Sequence, residues 1–338
     1  MKKFLALILA LAMALSLVAC GSNNNGNDNS SDNSGTTTKQ LRFVTGGESG
    51  TYYGFGSVIA THATNNAGVS IVALSSDGSK ANVFSLEENE AELGFCQSDV
   101  MAYAYNGTNI FADSGKVDCF SVLGALYTEQ VQIVTTNPDI KSVADLEGKS
   151  VSVGAPASGV YFNAVDILSA YGIGDLDADG KFTKINATYQ SFGDSADALK
   201  NGQIDAAFIV AGAPTTAVAD LATTKSVNLV SLDDEHIEKL LASSPYYTKC
   251  VIPAETYNMA ADVTTVGVGA VVLVRDDVSE DAVYALCADI FDNASSLVDT
   301  HAKYGEVTLE YGASMTAVPY HAGAAKYFAE KGFTVPAK

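Results

Sequence analysis

The residues best suited to chemistry in this chain are neutral ones. Thr45-Gly46-Gly47-Glu48-Ser49-Gly50-Thr51-Tyr52-Tyr53 follows the run LRFVT and opens a helical pattern that continues through Ala60. Glycines let the backbone approach a ligand, and the first amides of the helix then point at it. Such a turn can hold a carboxylate or phosphate without a basic side chain. It is not a Walker A loop, which needs Gly-Lys-Ser/Thr after four intervening residues, and it does not match GxGxxG. Four more junctions share its character. Asp77-Gly78-Ser79-Lys80-Ala81-Asn82 follows SIVAL, and Gln97-Ser98-Asp99 follows LGFC. Ala155-Pro156-Ala157-Ser158-Gly159-Val160 follows VSVG, and Ala211-Gly212-Ala213-Pro214-Thr215 follows AAFIV. Singly, Ser79, Ser98 and Ser158 read almost as well as helix N-caps, each contributing about 1 kcal/mol. Five such junctions together favour one shared ligand site.

The elements that must position these turns are legible in the hydrophobic pattern. Short β-branched runs recur at 41–45, 70–74, 93–96, 120–126, 131–135, 150–153, 204–210, 227–232 and 265–274. Most are apolar on both faces, as buried parallel strands are. Helical patterns lie between them at 160–171, 195–200, 216–222 and 282–298. Strands alternating with helices predict a doubly wound α/β fold, whose ligands bind where loops gather at the carboxyl ends of strands. The stretch 122–135 (VLGALYTEQVQIVT) reads as a crossing between two lobes, and 263–274 (VTTVGVGAVVLV) as the return. The expected organisation is lobe one at 41–130 plus 266–338, lobe two at 131–265, and a cleft between them.

Composition narrows the function. With 338 residues, 47% hydrophobic and 17% charged, the chain can bury a core of about two domains. The formal charge is −20, with 39 acidic residues against 19 basic ones. Only two of the basic residues are arginines, Arg42 and Arg275. A nucleic-acid partner needs clustered Lys and Arg, so that class is excluded. Any anionic ligand must be held mostly by neutral donors.

Lys2 and Lys3 precede the apolar run 4–19, which is short for a spanning helix and suits a secretory signal. It ends Leu17-Val18-Ala19-Cys20-Gly21, which resembles a bacterial lipobox. The expectation is a signal peptide at 1–19 and a lipidated Cys20, giving a domain anchored at the cell surface or in the periplasm. Removing Lys2 and Lys3 leaves 17 basic residues against 39 acidic, or −22. Residues 21–39 carry no apolar side chain and six Asn. They read as a tether spanning about 24 Å on average, so 20–40 is expected to link anchor and domain. The remaining cysteines, Cys96, Cys119, Cys250 and Cys287, form no CxxC. Export would permit a Cys119–Cys250 bridge, and the spacing leaves that pairing open.

The blocks GGESGTYY, DGSKAN, FCQSD, GAPASG, DAAFIVAGAP and PYHAGAAKYFAEKG resemble, in order over about residues 41–332, the TAXI family of solute receptors. That resemblance implies the extracytoplasmic binding component of a TRAP transporter with the type II periplasmic-binding-protein fold. It implies no enzyme activity and no cofactor. The receptor would close on a small organic acid or acidic amino acid and deliver it to a membrane permease. It also carries over Gly47, Ser49, Gly50, Thr51, Tyr52, Tyr53, Ser79, Asn82, Gln97 and Ser98 as cleft residues, with Ser158 and Gly159 in lobe two. Pro214 joins them from the fifth junction. Val160 stands where related sequences often have a hydroxyl.

Residue by residue, the list needs weighing. Adjacent helical residues do not share a face, so Tyr52 and Tyr53 are not both expected in the cleft. Asn82 could reach ligand or bind backbone. Glu48 and Asp99 are solvated helix-start carboxylates, or else one of them pairs with a ligand ammonium and makes the solute an amino acid. Asp175 to Gly180 matches half an EF-hand loop, but its twelfth position is Asn186, so an acidic turn is the better reading. His62, His236, His301 and His321 form no metal spacing, and His321 is expected to cap or pack near the last helix. No GxSxG elbow occurs. The rival readings are a binding protein for an ABC permease or sensor kinase, and an extracytoplasmic enzyme using Asp99 or Glu48 as a base.

Overall fold

A computed structural model describes residues 40–338. The expected signal peptide, Cys20 and the tether up to residue 39 lie outside the described residues. Strand β1 (Leu41–Val44), helix α1 (Thr51–Asn66), β2 (Ile71–Leu74), α2 (Ser79–Glu87), β3 (Leu93–Gln97) and α3 (Ser98–Asn106) alternate before the long strand β4 (Phe120–Thr135). Then come β5 (Ser150–Ser152), α4 (Val160–Ala170), β6 (Asn186–Thr188), α5 (Phe192–Lys200) and β7 (Ala206–Ala211). They are followed by α6 (Thr216–Ala222), β8 (Asn228–Leu229), α7 (Asp234–Ser243) and β9 (Thr248–Ile252). A second long strand, β10 (Val263–Arg275), leads to α8 (Glu280–Asp292) and α9 (Ala322–Glu330).

The strands form one continuous sheet in the order β2-β1-β3-β10-β4-β7-β5-β6, with β8 on β4 and β9 on β10. β1 pairs in parallel with β2 and β3, and β5 in parallel with β6 and β7. β4 and β10 run antiparallel to each other and to the strands flanking them. The sequence predicts two doubly wound sheets joined by a two-strand hinge, and β4 and β10 are those two strands, passing unbroken from one half of the molecule to the other. Every residue of β3 and β7 is buried, as strands covered on both faces must be.

The fold is two-lobed α/β, and its apolar packing divides at the crossing. One core runs through Tyr127 and resumes at Ala270, holding Phe43, Phe55, Phe95, Phe120 and Tyr327. The cores of the other half lie between Val131 and Val268, around Phe208, Ile167 and Leu240 on one side and Ile209, Val218 and Ile252 on the other. Each core buries side chains contributed by its own strand–helix units, so each half packs largely for itself.

Several helix starts carry the sequence signals for them. Ser191, Asp233 and Ser279 accept backbone N–H bonds at the starts of α5, α7 and α8. His321 does the same for α9, its Nδ1 accepting from the Gly323 amide at 3.2 Å. Asp177 accepts from the Asp179 and Lys181 amides at 2.9 Å each, so the acidic stretch is a self-bonded turn. Cys96, Cys119, Cys250 and Cys287 are all free thiols. Among the described residues no helix is long and apolar enough to cross a membrane.

Candidate functional site

Where the two halves meet, five strand–helix junctions surround a cavity of about 120 Å³. From the first half come Gly46, Gly47, Gly50, Thr51 and Tyr52, then Ser76 to Ser79, then Gln97. From the second half come Ala155, Ser158, Gly159 and Val160, then Val210 and Ala211. Gln190, Ser191 and Phe192 complete that wall, and Glu129 enters from β4 at the crossing. The volume is well below the roughly 300–1,000 Å³ of pockets for drug-sized ligands, so the space fits a small solute.

Five helices begin beside this cavity, and three of them have glycine at the N-cap. Gly50, Gly78 and Gly159 precede α1, α2 and α4, and none of these helices has a side-chain cap bond. The first amides of each helix are therefore left unclaimed by side chains, and they carry the positive end of the helix dipole. Gly78 has φ +105°, a region disfavoured for other residues, and Ser158 lies 3.6 Å from where its Cβ would stand. Glycine is required there by conformation, while the opposite half would meet a Cβ only in ordinary van der Waals contact.

The serines thought of as caps do other work. Ser79 is the first residue inside α2, and its Oγ accepts from the Gln97 amide at 3.0 Å. The Ser158 hydroxyl donates to Ala155 O at 2.7 Å beside the cavity. Ser98 points away, accepting from the Gly269 amide at 2.9 Å and fixing β10. Tyr52 lines the cavity, its ring stacked on Phe95 at 4.6 Å between centroids. Its hydroxyl is buried, lies close to Glu129 and Ser79, and closes no hydrogen bond of ordinary geometry among the described residues. Tyr53 is half-buried and does not line the cavity, which resolves the alternation between the two tyrosines.

Four other expected contacts are placed elsewhere. Asn82 is fully buried and donates to Thr45 O and Phe95 O at 2.7 Å each, tying the ends of β1 and β3. It does not reach the cavity wall, because those two carbonyls hold its amide inside the first half. Ser98 is turned to β10 as described. Pro214 is exposed near the end of the fifth junction, whose Ala211 faces the cavity instead. Ser49 sits on an outer groove with Gly193 and Ala217, and its carbonyl accepts from the Ala217 amide at 3.1 Å. Asn82→Ala is expected to cost roughly 2 kcal/mol in urea denaturation while changing solute affinity less than about twofold. A large affinity loss without destabilisation would return Asn82 to the cleft.

The halves are bonded across the gap. Thr51 Oγ1 donates to Gly212 O at 2.8 Å, and the Ala81 amide donates to Ala157 O at 3.1 Å. Gln97 Nε2 donates to Asn163 Oδ1 at 2.6 Å, and Asn163 Nδ2 donates to Asp99 Oδ2 at 2.9 Å. Asn163 Nδ2 also reaches the Tyr247 hydroxyl at 2.8 Å, which donates to Asp166 at 2.9 Å. Asp99 is thus a buried structural acceptor, and burial lifts its carboxyl to about 6. Glu48 is exposed beside the first junction.

Glu129 was not singled out by the sequence. It is 2% exposed, and burial pushes its carboxyl up to about 8. Neither arginine is near. Arg42 bonds Glu92 at 2.9 and 3.1 Å, and Arg275 bonds Asp277 at 2.6 and 2.8 Å, both on the far edge of the first half. Lys303 donates to Ala213 O at 2.9 Å and pairs with Glu306, so it too is occupied. No lysine or arginine lines the cavity. Among the described residues no cluster of His, Cys, Asp and Glu is arranged to hold a metal ion.

Residues 43–332 match the model of the NMT1-like family. Similar solved structures include the alkanesulfonate-binding protein SsuA from Xanthomonas axonopodis pv. citri bound to MOPS. It is 14% identical, with 86% of this chain and 83% of that one covered and a TM-score of 0.45. The periplasmic aliphatic sulphonate binding protein SsuA from Escherichia coli is 16% identical, covering 86% and 90%, with a TM-score of 0.43. The GluR0 ligand-binding core from Nostoc punctiforme in complex with L-glutamate is 14% identical, covering 78% and 95%, with a TM-score of 0.43. At these identities and scores, they are resemblances in the course of the chain only.

Proposed function

The chain belongs to the NMT1-like family, and from that premise we propose that it is an extracytoplasmic solute-binding protein rather than an enzyme. The observation that carries this reading is the partly open cavity between the halves, built from five junctions and holding a Tyr52 hydroxyl with no hydrogen-bond partner among the described residues. The solute is a small organic acid or acidic amino acid. Its carboxylate lies against the uncapped starts of α1, α2 and α4, within reach of Gly47, Gly50, Thr51, Tyr52, Ser79, Gln97, Ser158 and Gly159. Lobe one is 41–130 plus 266–338 and lobe two 131–265, and they close about β4 and β10. A ligand shifts that equilibrium only by its differential affinity for the closed form, which the bonds across the gap describe. Cys20 anchors the protein outside the membrane, and the closed form delivers its solute to a TRAP-type permease. The sequence blocks that resemble TAXI receptors support that partner.

The test is calorimetry against a panel of organic acids, amino acids and sugars, with small-angle scattering to follow closure. Saturable binding of an anionic or zwitterionic solute, with a smaller radius of gyration, is the expected result. Binding of neutral sugars alone, or of nothing in the panel, would overturn the proposed ligand class.

A further inference from the structure

Among the buried carboxylates of the described residues, Glu129 is the one that lines the cavity. Its side chain makes one hydrogen bond of ordinary geometry among the described residues, a long one of 3.4 Å from the Tyr127 hydroxyl. An ionised carboxylate accepts at about four lone-pair sites, so the Tyr127 hydroxyl and the nearby Tyr52 hydroxyl leave part of this capacity unfilled. The nearest basic group, Lys303, is committed to Ala213 O and Glu306 and forms no ion pair with Glu129. Tyr52 and Tyr127 flank it with hydroxyls, and Asp99 adds a second negative charge rather than a balancing one. The rest of the wall is made of helix starts, neutral hydroxyl and amide groups and the apolar side chains of Val160, Phe192 and Val210, with the solvent-exposed Asp77 as its other carboxylate. The cavity is therefore dipolar: three positive helix ends on one part of the wall and one buried carboxylate on another.

We infer that Glu129 is the specificity-determining residue of the cleft and that it selects solutes carrying a protonated nitrogen together with a carboxylate. This rests on the cleft being the solute site, as proposed above, and narrows its ligands to zwitterions such as α-amino acids. An ammonium brings three donors to the carboxylate that lacks them, while the solute carboxylate takes the helix amides. A plain mono- or dicarboxylate brings no ammonium to Glu129 and so gives up the ion pair. Ion pairing also changes the proton count. The empty site holds its carboxyl protonated at neutral pH, since burial raises it to about 8. Pairing with an ammonium favours the ionised form, so binding releases close to one proton per solute at pH 7.

The experiment compares amine-bearing acids with their deaminated counterparts on the same protein: L-glutamate with glutarate, and L-alanine with propionate. Titrations at pH 7 in two buffers of different ionisation enthalpy give affinity and proton release together. The expected result is an affinity at least about 100-fold higher for the amine-bearing member, with proton release, and loss of both in Glu129→Gln. The wild-type comparison stands even if that variant folds poorly. Equal affinity within each pair and no proton release would make Glu129 a neutral donor and overturn the inference, leaving solute binding intact. Failure of every acid, amine-bearing or not, would overturn the reading of the cleft itself.

Discussion

Gly159→Val lowers the affinity for the bound solute roughly 100-fold or more while leaving the melting temperature within about 2 °C. The backbone at Gly159 is in the ordinary right-handed region, φ −70° and ψ −22°, so a side chain there strains nothing locally. What forbids one is the opposite half. A Cβ at this position overlaps the Gln97 side chain and comes within 3.1 Å of Val100 Cγ2. Gln97 cannot swing away freely, because its amide is bonded to the buried Asn163 at 2.6 Å. The substitution therefore acts on the closed arrangement and not on either half. Solute titration and scattering check it, and Gln97→Ala in the Gly159→Ala background is expected to restore part of the affinity by clearing the overlap. Unchanged affinity in Gly159→Val would show that the solute does not need the two halves in contact.

The unliganded protein loses stability as pH rises from about 5 to 9. Both buried carboxyls titrate above their ordinary values for the same reason, burial, Glu129 at about 8 and Asp99 at about 6. In the unfolded chain, each loses its proton near its ordinary value, about 4. Between that value and the folded one the native state holds protons the unfolded state has lost, so stability is full below the window and falls across it. For Glu129 the decline amounts to roughly 3–5 kcal/mol by pH 9. Tyr52, Tyr127, Asp99 and Lys303 are the titratable groups that face it. The tyrosines stay protonated throughout, and the Lys303 charge only moderates the rise. Surface carboxylates have finished titrating by about pH 6, and the four free thiols among the described residues, all raised by burial, add their own decline above about pH 8, so the slope between pH 7 and 8 reports Glu129. Urea midpoints from pH 5 to 9 measure it, and Glu129→Gln should flatten the upper part of the profile. A wild-type profile that is flat or rises above pH 7 would show that Glu129 is already ionised in the empty cleft.

The junctions were legible because glycine and hydroxyl residues after an apolar run have few other uses. All five reach the cavity, although only some of their residues face it. Ser79 and Asn82 lie three apart on α2 and look alike in the sequence, yet Asn82 is turned inward by the carbonyls of Thr45 and Phe95. Gln97 and Ser98 straddle the end of a strand and the start of a helix, so their side chains leave in different directions. The crossing runs were visible as long apolar stretches, but Glu129 inside one of them was not. Within YTEQVQ it resembles any polar residue on a half-buried strand, and only the meeting of the halves encloses it. Phe192 was missed because its loop has no turn signal that distinguishes it from an ordinary helix start. β9 was missed for a different reason: Thr248, Lys249 and Val251 are all exposed, so this strand on β10 carries no alternation to read.

The unbroken passage of β4 and β10 through the molecule sets the mechanics of the cleft. Halves joined by loops could separate without resistance, whereas these can separate only by flexing a hydrogen-bonded ribbon. That ribbon is thin at the crossing. Gly267 and Gly269 lie opposite Gln130 and Thr128, where a Cβ would press on Thr128 and Met315. Its stiffness fixes how much of any solute's binding energy goes into bending, and that share is the same for every solute. On the proposed reading, how tightly the protein would hold a solute and which solute it would prefer are therefore encoded in different places. The first is a property of the spring and the second of the cavity wall, so either can change in evolution without the other.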